Sequence, residues 1–146
     1  MYKGFFLKWI AFGQYMKPVP NAQGRRVNWP NYKTGIKDIY FRMKAERGFA
    51  SVGIEITHAD EEFQELIFEQ FTQLRKILES CTQEKWDWKL HVENEVGQVI
   101  SKIEMVKKGV NVMEEKDWPA IISFLKPRII ALDEFWDLVK PGFEDL

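Results

Sequence analysis

A β-hairpin followed by a long amphipathic helix occurs twice in this chain, and that repeat constrains its fold more than any other feature. Asp38–Thr57 reads as strand, Glu46-Arg47-Gly48 turn and strand, and leads into a helical run ending near Cys81. Trp86–Val106 reads as strand, Glu95-Val96-Gly97 turn and strand, and leads into a second helical run ending near Val139. A lone hairpin is marginal in water and buries a face only when a helix lies across it. Two such units side by side make one domain. The 146 residues suffice to bury an ordinary core without disulfides or metals.

Alternation within each hairpin assigns the faces. In the first, Ile39, Phe41 and Met43 share a side with Ala50, Val52, Ile54 and Ile56. Tyr40, Arg42 and Lys44 fall opposite, with Ser51, Gly53, Glu55 and Thr57. Period two with one polar face is the pattern of an antiparallel sheet covered on one side. In the second hairpin, Trp86, Trp88, Leu90 and Val92 are expected inward, and Asp87, Lys89, His91 and Glu93 outward. Its partner strand is weaker, because Ser101 shares a face with Val99, Ile103 and Met105. The polar face, with Lys102 and Glu104 added, reads as a solvated surface of cross-strand charge pairs or as a platform for a ligand.

The first helical run opens at Thr57-x-x-Asp60, a capping-box variant, with Asp60, Glu61 and Glu62 suiting the helix dipole. Phe63, Leu66, Ile67, Phe71, Leu74, Ile77, Leu78 and Cys81 form its stripe. The second starts with Asp117 as N-cap and Pro119 in its first turn. Trp118, Ile121, Ile122, Leu125, Ile129, Leu132, Phe135 and Trp136 line it; Pro127 is expected to kink or divide it, and Pro141-Gly142 to end it. A further helix is expected over Lys3–Met16, stopped by Pro18 and Pro20. The expected fold class is therefore α+β: α-ββα-ββα in one globular domain, 1–146, with a four-stranded, mainly antiparallel sheet and helices packed on one face.

Composition narrows the chemistry. The single cysteine, Cys81, excludes an intrachain disulfide and suits a reducing compartment. The apolar start is interrupted by Lys8 and lacks a small-residue cleavage site, and no apolar run approaches the ~18–20 residues a spanning helix needs. A cytoplasmic setting without membrane contact is expected. One Cys and two separated His, His58 and His91, build neither a zinc site nor a triad, so no metal, cofactor or catalytic residue is expected.

The formal net charge of −1 conceals a division. Residues 1–58 carry ten Lys/Arg and three Asp/Glu, whereas residues 59–146 carry eleven and nineteen. Such a chain can present a basic face to an anion, pair its own halves, or pair with a second copy. The cations concentrate in the long loop 17–37, which holds Lys17, Arg25, Arg26, Lys33 and Lys37, three prolines and no acid. Loops of that length within a domain are commonly functional or disordered. Interleaved cations and flat rings can neutralise phosphates while a base stacks. The candidate ligand-binding residues are Arg25, Arg26, Lys33, Lys37 and Arg42 for charge, Trp29 and Tyr32 for stacking, and Asn28 and Thr34 for hydrogen bonds. The same two rings can equally plug the open end of the core and anchor the loop.

Two acids on neighbouring strands, Asp38 and Glu55, match part of the layout by which restriction-type nucleases hold a divalent metal, but Thr57 stands where that layout has a lysine.

Several strings resemble a bacterial domain-of-unknown-function family, number 4268. They are Val27-Asn28-Trp29-Pro30-Asn31-Tyr32-Lys33-Thr34-Gly35-Ile36-Lys37-Asp38-Ile39-Tyr40-Phe41-Arg42-Met43, Ile54-Glu55-Ile56-Thr57-His58, Phe68-Glu69-Gln70-Phe71, and the run from Trp118-Pro119 through Lys126-Pro127-Arg128 to Phe135-Trp136. The resemblance covers nearly the whole chain and implies no activity of its own. Related domains close longer bacterial proteins whose front part looks nuclease-like, which implies a setting in DNA defence or repair. The resulting expectation is a non-catalytic binding module for nucleic acid or another anionic ligand. The alternatives are a homodimeric interaction protein, joined by acidic helices on a basic surface or by its Trp86–Trp88 hairpin, and a metal-dependent nuclease-like enzyme using Asp38 and Glu55.

Overall fold

The computed structural model describes residues 19–26 and 28–145; the helix expected over Lys3–Met16 lies outside them. Four strands, β1 (Ile39–Ala45), β2 (Phe49–Ile56), β3 (Asp87–Glu93) and β4 (Val99–Lys108), form one sheet in the order β1-β2-β4-β3. Every neighbouring pair is antiparallel, so the two hairpins join through their second strands. The helices are α1 (Glu61–Gln73), α2 (Arg75–Thr82) and α3 (Trp118–Val139). They cover one side of the sheet, and the α+β class expected from the hairpin repeat is the fold observed.

Register explains the two faces. Phe41 lies opposite Ile54, Ile54 opposite Ile103, and Ile103 opposite Trp88, an apolar row crossing all four strands. Against such rows pack Ile67 and Phe71 of α1, Leu78 of α2, and Leu125, Leu132 and Phe135 of α3, all buried. One residue along, Arg42, Gly53, Glu104 and Asp87 make the matching row on the open side. Gly53 has no room for a side chain: a Cβ there would come within 2.3 Å of the Ile103 carbonyl oxygen and 2.7 Å of Glu104 Cα. Gly53→Ala is expected to destabilise the fold by about 1–3 kcal/mol, read as a lower urea midpoint at unchanged slope.

The open face is stitched by charge. Glu55 meets Arg42 at 3.6 Å and Lys44 at 3.4 Å, and Lys89 meets Glu104 at 2.8 Å. Lys44 also meets Glu95 at 3.2 Å, so the tip of the second hairpin reaches back to β1. Burial pulls the Lys44 amine down, but Glu55 and Glu95 outweigh it and hold the amine above its ordinary value. Glu95 is held low by its own backbone N–H and by Lys44.

Four local features differ from expectation. Asp60, not Thr57, caps α1, accepting from the Glu62 and Phe63 N–H groups. The long helical run breaks at Leu74, whose backbone (φ −98°, ψ 8°) leaves the helical region and whose N–H bonds back to Phe71. No glycine or proline marks that break. Pro127 does not divide α3, which runs unbroken from Trp118 to Val139; the Arg128 guanidinium donates to the Phe124 carbonyl beside it. The largest departure is a bulge between Lys89 and Val92, where His91 takes φ 52°. A bulge reverses the alternation beyond it. Leu90, expected inward, is 37% exposed, and His91, expected outward, meets the Glu61 carbonyl of α1 through Nε2 at 3.1 Å.

Candidate functional site

The basic loop is held against α3 by its least basic residues. Trp29 opens a 3-10 turn (Trp29–Asn31) and is 1% exposed, its indole N–H donating to the Val19 carbonyl. Its ring continues into Tyr32, Phe41 and Trp136, with centroids 6.0, 5.0 and 5.5 Å apart in turn. Thr34 is buried, and its hydroxyl donates to the Ile39 carbonyl at 2.7 Å. The Trp136 indole N–H donates to the Thr34 carbonyl at 2.8 Å, pinning loop to helix.

At the centre of this attachment is Asp133, 4% exposed on α3. Its carboxylate accepts from the Ala22 N–H at 2.7 Å and from the Tyr32 hydroxyl at 2.5 Å. Two loop segments are therefore tied to one helical carboxylate. Burial first, and the Asp133 carboxylate second, push the Tyr32 phenol far above its ordinary value of 10.0. A phenol raised in the fold contributes stability that is intact below the unfolded value and is lost as pH rises from that value toward the folded one. Stability is thus expected to fall with pH above about 10, and Tyr32→Phe to make that fall shallower, the raised Lys44 amine supplying part of what remains. Urea titrations of both proteins between neutral and strongly alkaline pH test it.

The cations of the loop stay outside. Arg25, Arg26, Lys33 and Lys37 are exposed and form no ion pair with any described residue. Arg25 is presented by a tight turn: the Asn21 side chain accepts from the N–H groups of Gln23 and Arg25, and Gly24 takes φ 75°. Asn28 is exposed ahead of the 3-10 turn. Arg42 stands apart, paired with Glu55 and lying 4.3 Å over the Tyr40 ring. Of the nine residues marked as ligand-binding, four cations and Asn28 remain accessible, Trp29 and Thr34 are interior, Tyr32 is half-buried, and Arg42 belongs to the sheet face.

Two clefts flank the loop. One, about 270 Å³, runs between loop and α3 and is lined by Tyr32, Lys33, Asp133, Asp137, Lys140 and Glu144 among others. The second, about 340 Å³, lies where β1 begins and β2 ends, and shares Glu144 with the first. Asp38 lines this second cleft, whereas Glu55 faces the open sheet between Arg42 and Lys44. Among the described residues no group of three or more His, Cys, Asp or Glu side chains is placed to hold a metal ion. None of the helices among them is long and apolar enough to cross a membrane.

The family model described as Domain of unknown function (DUF4268) matches residues 5–140. The chain belongs to this family. No curated protein and no solved structure matches this chain. The strings that carried the resemblance include the loop's anchoring residues Trp29, Tyr32 and Thr34 and their helical partner Trp136.

Sequence inspection passed over Asp133 and Gln64. Both break an apolar stripe: Asp133 sits between Ile129 and Trp136, and Gln64 is three residues before Ile67 and seven before Phe71. A polar residue in a buried row is the available signal, since such a group must find partners inside.

Proposed function

We propose that this chain is a non-catalytic, cytoplasmic binding module for nucleic acid or a comparable polyanion, acting in the DNA defence or repair setting that the family resemblance implies. The observation that carries this reading is the loop itself. Four exposed cations project from a backbone fixed by Trp29, Tyr32, Thr34 and Asp133, with no acid in the segment to oppose them. A fixed loop holds its charges in one spatial arrangement, so less ordering entropy is lost on binding than for a mobile tail. Arg25 and Arg26 supply the pair nearest the tight turn, and Lys33 and Lys37 continue the line toward the sheet.

Affinity for an oligonucleotide is then expected to fall steeply with salt, with a log–log slope of about −3 to −4 for four neutralised phosphates. Arg25→Ala/Arg26→Ala is expected to weaken binding and make that slope shallower by about two. Titrations of labelled oligonucleotides at several salt concentrations measure both quantities. Unchanged affinity and slope in the double variant would overturn the assignment.

A second reading, a homodimer, is favoured by Leu66 and Leu138, which are 58% and 66% exposed on helices with acidic outer faces. Sedimentation at two protein concentrations separates the two readings.

A further inference from the structure

We infer that the cleft at the mouth of the sheet receives an unpaired nucleobase carrying an exocyclic amine, adenine or cytosine, so that the module selects single strands over duplex. The inference rests on the nucleic-acid reading above and adds a specificity that loop charges cannot supply. At about 340 Å³, the cleft falls in the lower range of small-ligand sites and suits one heterocycle with its sugar. Its lining includes the buried apolar side chains Ile39, Ile67 and Phe143. One wall is a ring pair, His58 and Phe63, with centroids 4.5 Å apart and both half-buried. A flat apolar bed beside exposed ring surface is what base stacking requires.

The polar groups around that bed identify the ring. Among the described residues that line the cleft, Asp38 and Glu144 are acids and Lys37 is a base, and the Lys140 amine lies against Gly35 at its rim. The two carboxylates oppose a phosphate within the cleft, while the amines at its edge can meet one outside it. The carboxylates accept hydrogen bonds, and an exocyclic amine donates them. His58 Nδ1 accepts from the Asp60 N–H at 3.0 Å, which in the neutral imidazole leaves the proton on Nε2 as a donor. On the pairing edge, an amine donor beside a ring-nitrogen acceptor is the pattern of adenine and cytosine; guanine sets a ring N–H beside its amine, and thymine and uracil set one between two carbonyls, so each would meet the Nε2 donor with another donor. Asp38 is held in the left-handed region, φ 66°, with its carbonyl accepting from the Thr57 N–H at 2.9 Å, a conformation that concentrates at ligand sites.

Phosphates on either side of the inserted base have cations to meet. Lys37 borders the cleft, and Lys33 and Lys140 line the adjoining one across Glu144. In a duplex, the amine edge is already paired and the ring is stacked, so the cleft stays empty.

Fluorescence anisotropy with short oligo-dA, oligo-dC, oligo-dT and a duplex of equal length, at one salt concentration, tests this. Oligo-dA and oligo-dC are expected to bind about tenfold tighter than oligo-dT and the duplex. His58→Asn keeps an acceptor for the Asp60 N–H and removes the ring, and Phe63→Leu keeps an apolar side chain. Each is expected to erase the preference, bringing the single strands down to the duplex level. Equal binding of all four ligands, or a preference that persists in both variants, overturns the base cleft while leaving the loop reading intact. Absence of binding to every oligonucleotide overturns both.

Discussion

Asp133→Ala is expected to lower stability by about 3 kcal/mol and to release the basic loop from α3. The substitution removes the one carboxylate that accepts from both Ala22 and Tyr32. Hydrogen bonds to a charged acceptor each contribute about 1.5–3 kcal/mol, and water entering the adjoining cleft returns part of the loss. For a domain of this size the melting temperature should drop by roughly 6–12 °C. Amide exchange supplies the local reading: the N–H of Ala22 should lose protection in the variant, whereas those of β2 and β4 should fall only as global stability falls. If the loop amides remain protected, the carboxylate is not what holds it. Because the loop carries the proposed cations, Asp133→Ala is also expected to weaken oligonucleotide binding without touching a positive charge. Asp133→Asn preserves one acceptor and should retain most of the anchoring.

Gln64→Ala is the second large effect, again about 3 kcal/mol, measured by urea denaturation. Gln64 is fully buried on α1. Its amide donates to the His58 carbonyl at 2.9 Å and the Val99 carbonyl at 3.1 Å, and its oxygen accepts from the Ser101 hydroxyl at 2.6 Å. Ser101 in turn accepts from the His91 N–H in the bulge at 3.1 Å. Truncation takes the donor from two part-buried carbonyls and the acceptor from the Ser101 hydroxyl proton. Gln64→Leu should fare no better, since volume is not what is missing. Adding Ser101→Ala to Gln64→Ala should cost less than the sum of the separate changes, because the hydroxyl stranded by the first is deleted by the second.

These two side chains also mark where sequence inspection stopped. The hairpins, their turns, the inward rows of β1 and β2 and the course of α3 all follow from periodicity, because apolar burial sets register on a one-sided sheet. The bulge at Leu90-His91 does not follow. Its cause is tertiary: Ser101 and the N-terminal turn of α1 offer His91 partners that no local pattern announces. Likewise, the break at Leu74 occurs within an uninterrupted helical stripe. In the loop, the interleaving of Arg, Lys, Trp and Tyr was visible as composition, but the division of labour was not. Indole and hydroxyl groups that suit a ligand equally suit a helix, and Trp136 and Asp133 claimed them from far along the chain. The cations, lacking such partners, were left to solvent.

Because the hairpins meet through β2 and β4, each hairpin-helix unit ends its own sheet at the strand that the other unit completes. The strand order and pairing thus relate the two hairpins of the sheet by an approximate dyad between the middle strands. The seam along that dyad is a ladder of main-chain bonds, indifferent to which molecule supplies the facing strand. Two copies could trade halves across it by opening the connection between Thr82 and Asp87, where the Trp86 indole N–H donates to the Thr82 hydroxyl, and re-form the native contacts outside that connection.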